Sequence, residues 1–198
     1  VASTEAAVSL EHADLAFPIA LELARLSAHM SVPLTAETTP ETYALRLDVS
    51  KFVIDDELWS VLDPNTILPR DPASLTIDLS GSAKVLVDLF TSSGGNTLKS
   101  DVGLPVEVQD VALHQFNLSA AGAKVTSVGQ FQFDNSDFFT LVGLPRPEGQ
   151  LEIEIDGAYG LMDRLIEIGL IQKSEAMGLR MMLSMMTVPG PANDTLKT

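Results

Sequence analysis

Catalysis in this chain would fall to histidine, serine or carboxylate groups, because its 198 residues contain no cysteine. That composition excludes thiol catalysis, disulfides and zinc sites built on thiolates. The three histidines, His12, His29 and His114, lie far apart in sequence. His12 and Asp14 would share one face of a strand and could serve as a metal pair, or as a base with its orienter. No third ligand lies near them in sequence, so two polar residues on a solvated face is the favoured reading. There is no Gly-x-Ser-x-Gly elbow and no Ser-x-x-Lys pair for a serine hydrolase. Gly94-Gly95 is not followed by the Lys-Ser/Thr of a phosphate loop. Asp55-Asp56 and Asp134-x-x-Asp137 lack calcium-loop spacing and read as caps and turn formers. Glu152, Glu154 and Asp156 alternate with Leu151, Ile153 and Ile155, which puts the carboxylates on a wet face. The expectation is a protein with no catalytic residue, no metal site and no cofactor.

Charge narrows the partners. Twelve Lys and Arg against 27 Asp and Glu leave a formal charge of −15. A surface that negative repels phosphate backbones and anionic headgroups, so nucleic acid is not expected as a partner. Hydrophobic residues make up 45% of the chain, enough to fold without staples. No apolar run reaches the roughly 18 residues that span a bilayer. The start at Val1 reads as that of a trimmed product, and the ending after Asn193-Asp194 as an interruption where another strand would begin.

Alternation dominates the elements. Residues 43–49 and 74–79 each alternate apolar with polar, as half-buried strands do. Between them Asp55 and Asp56 open a helix at 56–62, which Asp63-Pro64 ends. The connection Leu68-Pro69-Arg70-Asp71-Pro72 is too proline-rich to continue it. Apolar residues hold the odd positions from Ala13 to Leu23 and the even ones from Leu26 to Leu34, so a β-bulge or bend is expected near Ala24-Arg25. Helix over 19–29 is the competing reading, since Ala, Leu, Glu and Arg favour it. Residues 106–118 read as a strand with its own phase slip, and 125–133 as its hairpin partner. Residues 138–144 read as one or two helical turns, 145–149 as a turn, and 150–156 as a strand. The period then changes to 3.6, giving helices over 161–171 and 175–187, the second capped by Ser174. The fold class is mainly β (α+β): a long, bulged, curved antiparallel sheet with a few short covering helices, two consecutive near the C-terminus. Residues 1–198 read as a single β-rich domain, with 157–187 packing on the sheet, from a chain that looks like part of a longer one. The helices are the expected covers of the aliphatic face, and a groove on a curved sheet is the alternative.

Apolar groups are the remaining candidates for binding. Met177, Met181, Met182, Met185 and Met186 share one helix, and methionine surfaces adapt to varied apolar partners. Core packing at helical spacing is the favoured reading of that stripe. Trp59, Phe131, Phe133, Met181 and Met185 are the candidate ligand-binding residues, for a lipid or other hydrophobic ligand buried by its apolar surface.

The string Leu58-Trp59-Ser60-Val61-Leu62-Asp63-Pro64, then Leu68-Pro69-Arg70-Asp71-Pro72-Ala73-Ser74-Leu75, resembles an uncharacterised bacterial family, domain-of-unknown-function family 2125. The run from Gly169-Leu170-Ile171 to Met182, with Pro189-Gly190 and Asp194-Thr195-Leu196, is similar to that family's C-terminal part. The resemblance implies export to the bacterial periplasm or envelope behind an N-terminal signal or anchor missing here, and membrane contact through that anchor only. In style, not motif, the long strands and helix pair also resemble AsmA-like lipid-handling proteins. The expected function is that of a non-enzymatic envelope protein holding a hydrophobic ligand in a sheet groove. A structural or assembly module with a packed core, docking an envelope protein partner, is the alternative.

Overall fold

The structure, a computed structural model, describes residues 4–10, 19–87, 106–189 and 195–198. Its sheet has strands β1 (Thr4–Leu10), β2 (Ile19–Ser31), β3 (Glu41–Ile54), β4 (Ala73–Val85), β5 (Val106–Ala120), β6 (Ala123–Asp134), β7 (Arg146–Asp156), β8 (Val188–Pro189) and β9 (Thr195–Lys197). The strand order is β1-β2-β3-β4-β5-β6-β7-β9-β8, and every neighbouring pair is antiparallel. The mainly β fold with an antiparallel sheet agrees with the alternation in the sequence. The expected strand at the C-terminal end is β9, which adds to β7.

Directly opposed residues of an antiparallel ladder share a face. One row across the sheet therefore runs Leu26, Val49, Leu75, Leu118, Val125, Ile155, Leu196. A second runs Ala28, Leu47, Ile77, Phe116, Ser127, Ile153. The row on the other face runs Ser27, Asp48, Thr76, Asn117, Thr126, Glu154, Lys197. The sheet thus has one aliphatic face and one polar face.

Bulges keep that division intact along strands of up to 15 residues. Between Leu23 and Leu26, β2 carries one residue more than β1. Opposite it β3 carries the same excess near Lys51, whose φ is 54°. The phase slip near Ala24-Arg25 is this paired bulge, and the helix reading of 19–29 gives way to β2. In β5 the extra residues fall between Leu113 and Phe116 and again near Gln109. Bulges of this kind bend strands and raise their twist.

Among the described residues there are three helices: α1 (Asp56–Leu62), α2 (Ala158–Glu167) and α3 (Lys173–Met186). Asp55 caps α1 by accepting from the Leu58 amide at 2.7 Å. Ser174 does not cap α3. Gln172 does so through a capping box with Glu175. α1 leaves from the end of β3, and α2 from the end of β7, so both lie at the same end of the sheet. Among the described residues the most extensive helix–strand contact is that of α2 with β6.

The helices do not cover the aliphatic face as expected. Only eight described residues are buried: Leu68, Ala83, Val85, Ala158, Ala176, Leu196, Asp63 and Thr195. Leu45, Leu47, Ile77, Leu113, Phe116 and Ile153 stay half-buried on an open sheet. The methionine stripe is not core either. Met177, Met181, Met182, Met185 and Met186 are 51–79% exposed, while Ala176 and Leu183 face inward. Residues 138–144 form no helix. They make a loop closed by a Leu141–Leu144 bridge, and β7 begins at Arg146 rather than after Gly149.

Candidate functional site

Among the described residues the aliphatic rows are the most extensive apolar surface that could bind a ligand. At about 4.8 Å between strands and 6.8 Å between rows, the four best-defined rows cover on the order of 600 Å². That equals the largest apolar patch of a typical soluble monomer, and such patches mark binding surfaces. Toward the end of the sheet away from the helices, the rows contain glycines. One runs Tyr43, Gly81, Val111, Phe131, Gly149, and its neighbour runs Met30, Leu45, Leu79, Leu113, Gly129, Leu151. Tyr43, Val111, Phe131, Leu113 and Leu151 each have a glycine beside them in the row, and Tyr43 crosses Gly81 to donate its hydroxyl to the Asp110 carbonyl of β5 at 2.9 Å. Burial first, and the Asp110 charge second, push the Tyr43 phenol above its usual range, so it remains a donor.

Phe131 and Phe133 lie on this face, both half-buried. Trp59, Met181 and Met185 do not share it. Trp59 sits on α1 under the Arg70 guanidinium, 5.6 Å from its ring centroid, and Arg70 also pairs with Asp56 at 2.5 Å. Met181 and Met185 are on the outer side of α3. Arg180 fastens α3 to α2 through Asp163 at 2.7 Å and through the Tyr159 ring. Met177, Met181 and Ser184 line an open depression of about 610 Å³ beside that clasp.

The polar face offers less. Ser80 and His114 Nε2 approach to 2.7 Å. Among the described residues no carboxylate orients the other ring nitrogen, and nearby Asp78 is held by Arg46 at 3.2 Å. A serine–histidine pair without its orienter and oxyanion donors is not a triad. His12 and Asp14 lie outside the described residues. Among the described residues no group of three or more His, Asp or Glu could hold a metal ion. Glu154 pairs with Lys197 at 2.9 Å, and Asp156 accepts from Thr195, which puts the acidic row of β7 on the polar face.

At the β6–β7 loop Asp134 and Asp137 are the turn formers that their spacing suggested, and sequence reasoning missed only that Arg146 joins them. Asp134 accepts from the Ser136 hydroxyl at 2.6 Å and its amide at 2.9 Å. Asp137 accepts from the Thr140 hydroxyl at 2.7 Å and from the Thr140 and Phe139 amides. Arg146 reaches Glu148 at 2.5 Å, Asp134 at 3.6 Å and Asp137 at 3.7 Å. The Ser136 and Thr140 hydroxyls, then these amides, hold both aspartates below their ordinary value of 3.8, with Arg146 adding to the effect. A depressed folded pKa stabilises fully above the ordinary value and is lost as pH falls through the lower one. Amide exchange at Phe139 and Thr140, corrected for intrinsic rates, should therefore be slow at about pH 5 and markedly faster at about pH 2. Equal protection at both would show that the carboxylates do not hold the loop.

An open antiparallel meander, polar on one face and aliphatic on the other, with helices gathered at one end, defines the class of fold. The chain belongs to the DUF2125 family, described as uncharacterized protein conserved in bacteria, whose family model matches residues 1–197. No curated protein and no solved structure gives a significant match. The likeness in style to AsmA-like proteins finds no support in these comparisons.

Proposed function

We propose that this protein is a non-enzymatic component of the bacterial envelope that holds a hydrophobic ligand, an acyl chain, against the aliphatic face of its sheet. The observation that carries this reading is the set of apolar rows that no described helix covers. Covering some 600 Å² would yield on the order of 15 kcal/mol at about 25 cal/mol per Å². Association and ordering cost roughly 4–15 kcal/mol, so one chain covering part of the face binds reversibly rather than permanently. Phe131 and Phe133 belong to this site. Trp59, Met181 and Met185 serve the helical end instead. The envelope setting rests on the resemblance of the fingerprint region, and cell fractionation of the native protein tests it.

Native mass spectrometry with organic extraction tests the ligand. A lipid retained at near-stoichiometric level, and lost in Ile77→Asp and Phe116→Asp but kept in Met181→Asp, is the expected result. Far-UV circular dichroism separates lost binding from lost structure. A bare mass with no uptake of added lipid would overturn the reading and leave a protein-docking module in its place.

A further inference from the structure

We propose that the open edge of β7, residues 147–152, binds an extended cationic segment of a partner protein, which adds to the sheet as a further strand in line with β9. β9 pairs only with residues 154–156 of β7, and residues 147–152 are all exposed. Ile153 donates its amide to the Thr198 hydroxyl at 2.8 Å and accepts from the Thr198 amide at 3.0 Å, so both its groups face away from β6. Alternate residues of a strand turn their main-chain groups to the same neighbour, and the β6–β7 register is unbroken from Lys124 to Asp134. Leu151 and Gly149 therefore present an amide and a carbonyl outward, and Pro147 presents a carbonyl. Among the described residues only the Thr198 hydroxyl approaches them, 3.5 Å from the Leu151 oxygen. An unpaired row of this kind is a template for another strand. Edges closed to partners carry bulges, prolines or lysines, whereas this stretch has a single proline at its far end.

What fits there is defined by β9, which occupies the same edge. Leu196 is 6% exposed beside Ile155 on the aliphatic face, and Lys197 pairs with Glu154 at 2.9 Å on the polar face. Continued along β7, that alternation puts a basic residue beside Glu152, which is exposed and has no ion pair among the described residues. The next position sets an apolar side chain beside Leu151, itself 41% exposed. Beside Gly149 a large side chain can cross the glycine toward Phe131, as Tyr43 crosses Gly81. The partner is thus an antiparallel segment alternating basic or polar residues with apolar ones. In this mode main-chain bonds supply affinity and alternate side chains supply selectivity. The formal charge of −15 draws a cationic segment in. A second copy of this chain is opposed, because β7 against β7 would set the acids Glu148 and Glu152 against their own kind. The inference does not need the acyl-chain reading, since these bonds lie in the plane of the sheet and not on its aliphatic face.

The probe is the fluorescein-labelled, amidated peptide Lys-Leu-Thr-Phe-Lys-Val, aligned with its first lysine beside Glu152 and its phenylalanine beside Gly149. Fluorescence anisotropy should show saturable binding. Hydrogen exchange should slow at the Leu151 and Gly149 amides, while the Gln150 and Glu152 amides, which face β6, stay as they were. Methylating the peptide's leucine and phenylalanine nitrogens, which face β7, should weaken binding about tenfold or more, whereas methylating the threonine nitrogen, which faces away, should not. Glu152→Lys should weaken binding about fivefold without changing the lipid retained in native mass spectrometry. Leu151→Pro removes an outward donor and no bond to β6, so it should abolish protection at Gly149 with far-UV circular dichroism unaltered. No binding by the matched peptide, equal binding with glutamate in place of both lysines, or loss on methylating threonine alone would overturn the proposal. So would a dimer in analytical ultracentrifugation that already protects the Leu151 and Gly149 amides, because a second copy would then hold the edge.

Discussion

Asp63→Ala is expected to lower stability by about 3 kcal/mol, as a shift in the urea midpoint without a change in slope. Asp63 is 1% exposed, and its carboxylate accepts from the Ile67 amide at 2.9 Å and the Leu68 amide at 2.6 Å. Alanine leaves both donors unpaired next to buried Leu68, and each buried orphan costs about 1–3 kcal/mol. The damage spreads, because this turn sets the rest of the connection. Thr66 takes a positive φ of 54°, Arg70 returns over Trp59, and Pro69 lies against Gly122 in the β5–β6 turn. Asp63→Asn keeps one acceptor and should lose about half as much. A variant with an unmoved midpoint would mean that the connection does not depend on this carboxylate.

Gly81→Ala is the second substitution with a large expected effect, again about 3 kcal/mol. A methyl group there would overlap the Asp110 carbonyl oxygen and lie 2.5 Å from the Tyr43 hydroxyl. Both the strand β5 and the tyrosine ring would have to move, ending the hydrogen bond that ties β3 to β5 across β4. In a double-mutant cycle the glycine substitution should cost less when Tyr43 is already alanine, because part of the collision is gone. Additivity within about 0.5 kcal/mol would show that the ring does not occupy the space above Gly81.

Much of this architecture was legible because it is local. Alternation in residues 43–49, 74–79 and 150–156 placed strands, and the phase slips near Ala24-Arg25 and after Leu113 marked bulges. Asp55 and Pro64 bounded α1 within its seven residues. What failed depends on where elements end up in space. An amphipathic period in residues 161–187 shows that a face must be covered, but not that α2 and α3 cover chiefly each other. Gly149 and Pro147 looked like a turn because strands disfavour both. Here β9 reaches only residues 154–156 of β7, so Pro147 lies where β7 is an edge, and Gly149 makes room beside Phe131. The Trp59–Arg70 fingerprint, which the sequence offers only as a family resemblance, is a clip that fixes α1 to its own connection. The separation of Trp59 from Phe131 follows from that clip and has no local signal.

The strictly sequential order of strands has a mechanical side. With β1 at one edge and β8–β9 at the other, the two ends of the described sheet lie across the strands rather than along them. Tension between those ends loads the interstrand hydrogen bonds one ladder at a time, as in a zipper, instead of shearing many at once. The short β8–β9 attachment, three residue pairs on β7, would part first and free α2 and α3 while the seven long strands held. Such a sheet resists little force pulled edge to edge. A pull along its strands meets it differently, because every long ladder must then slip together.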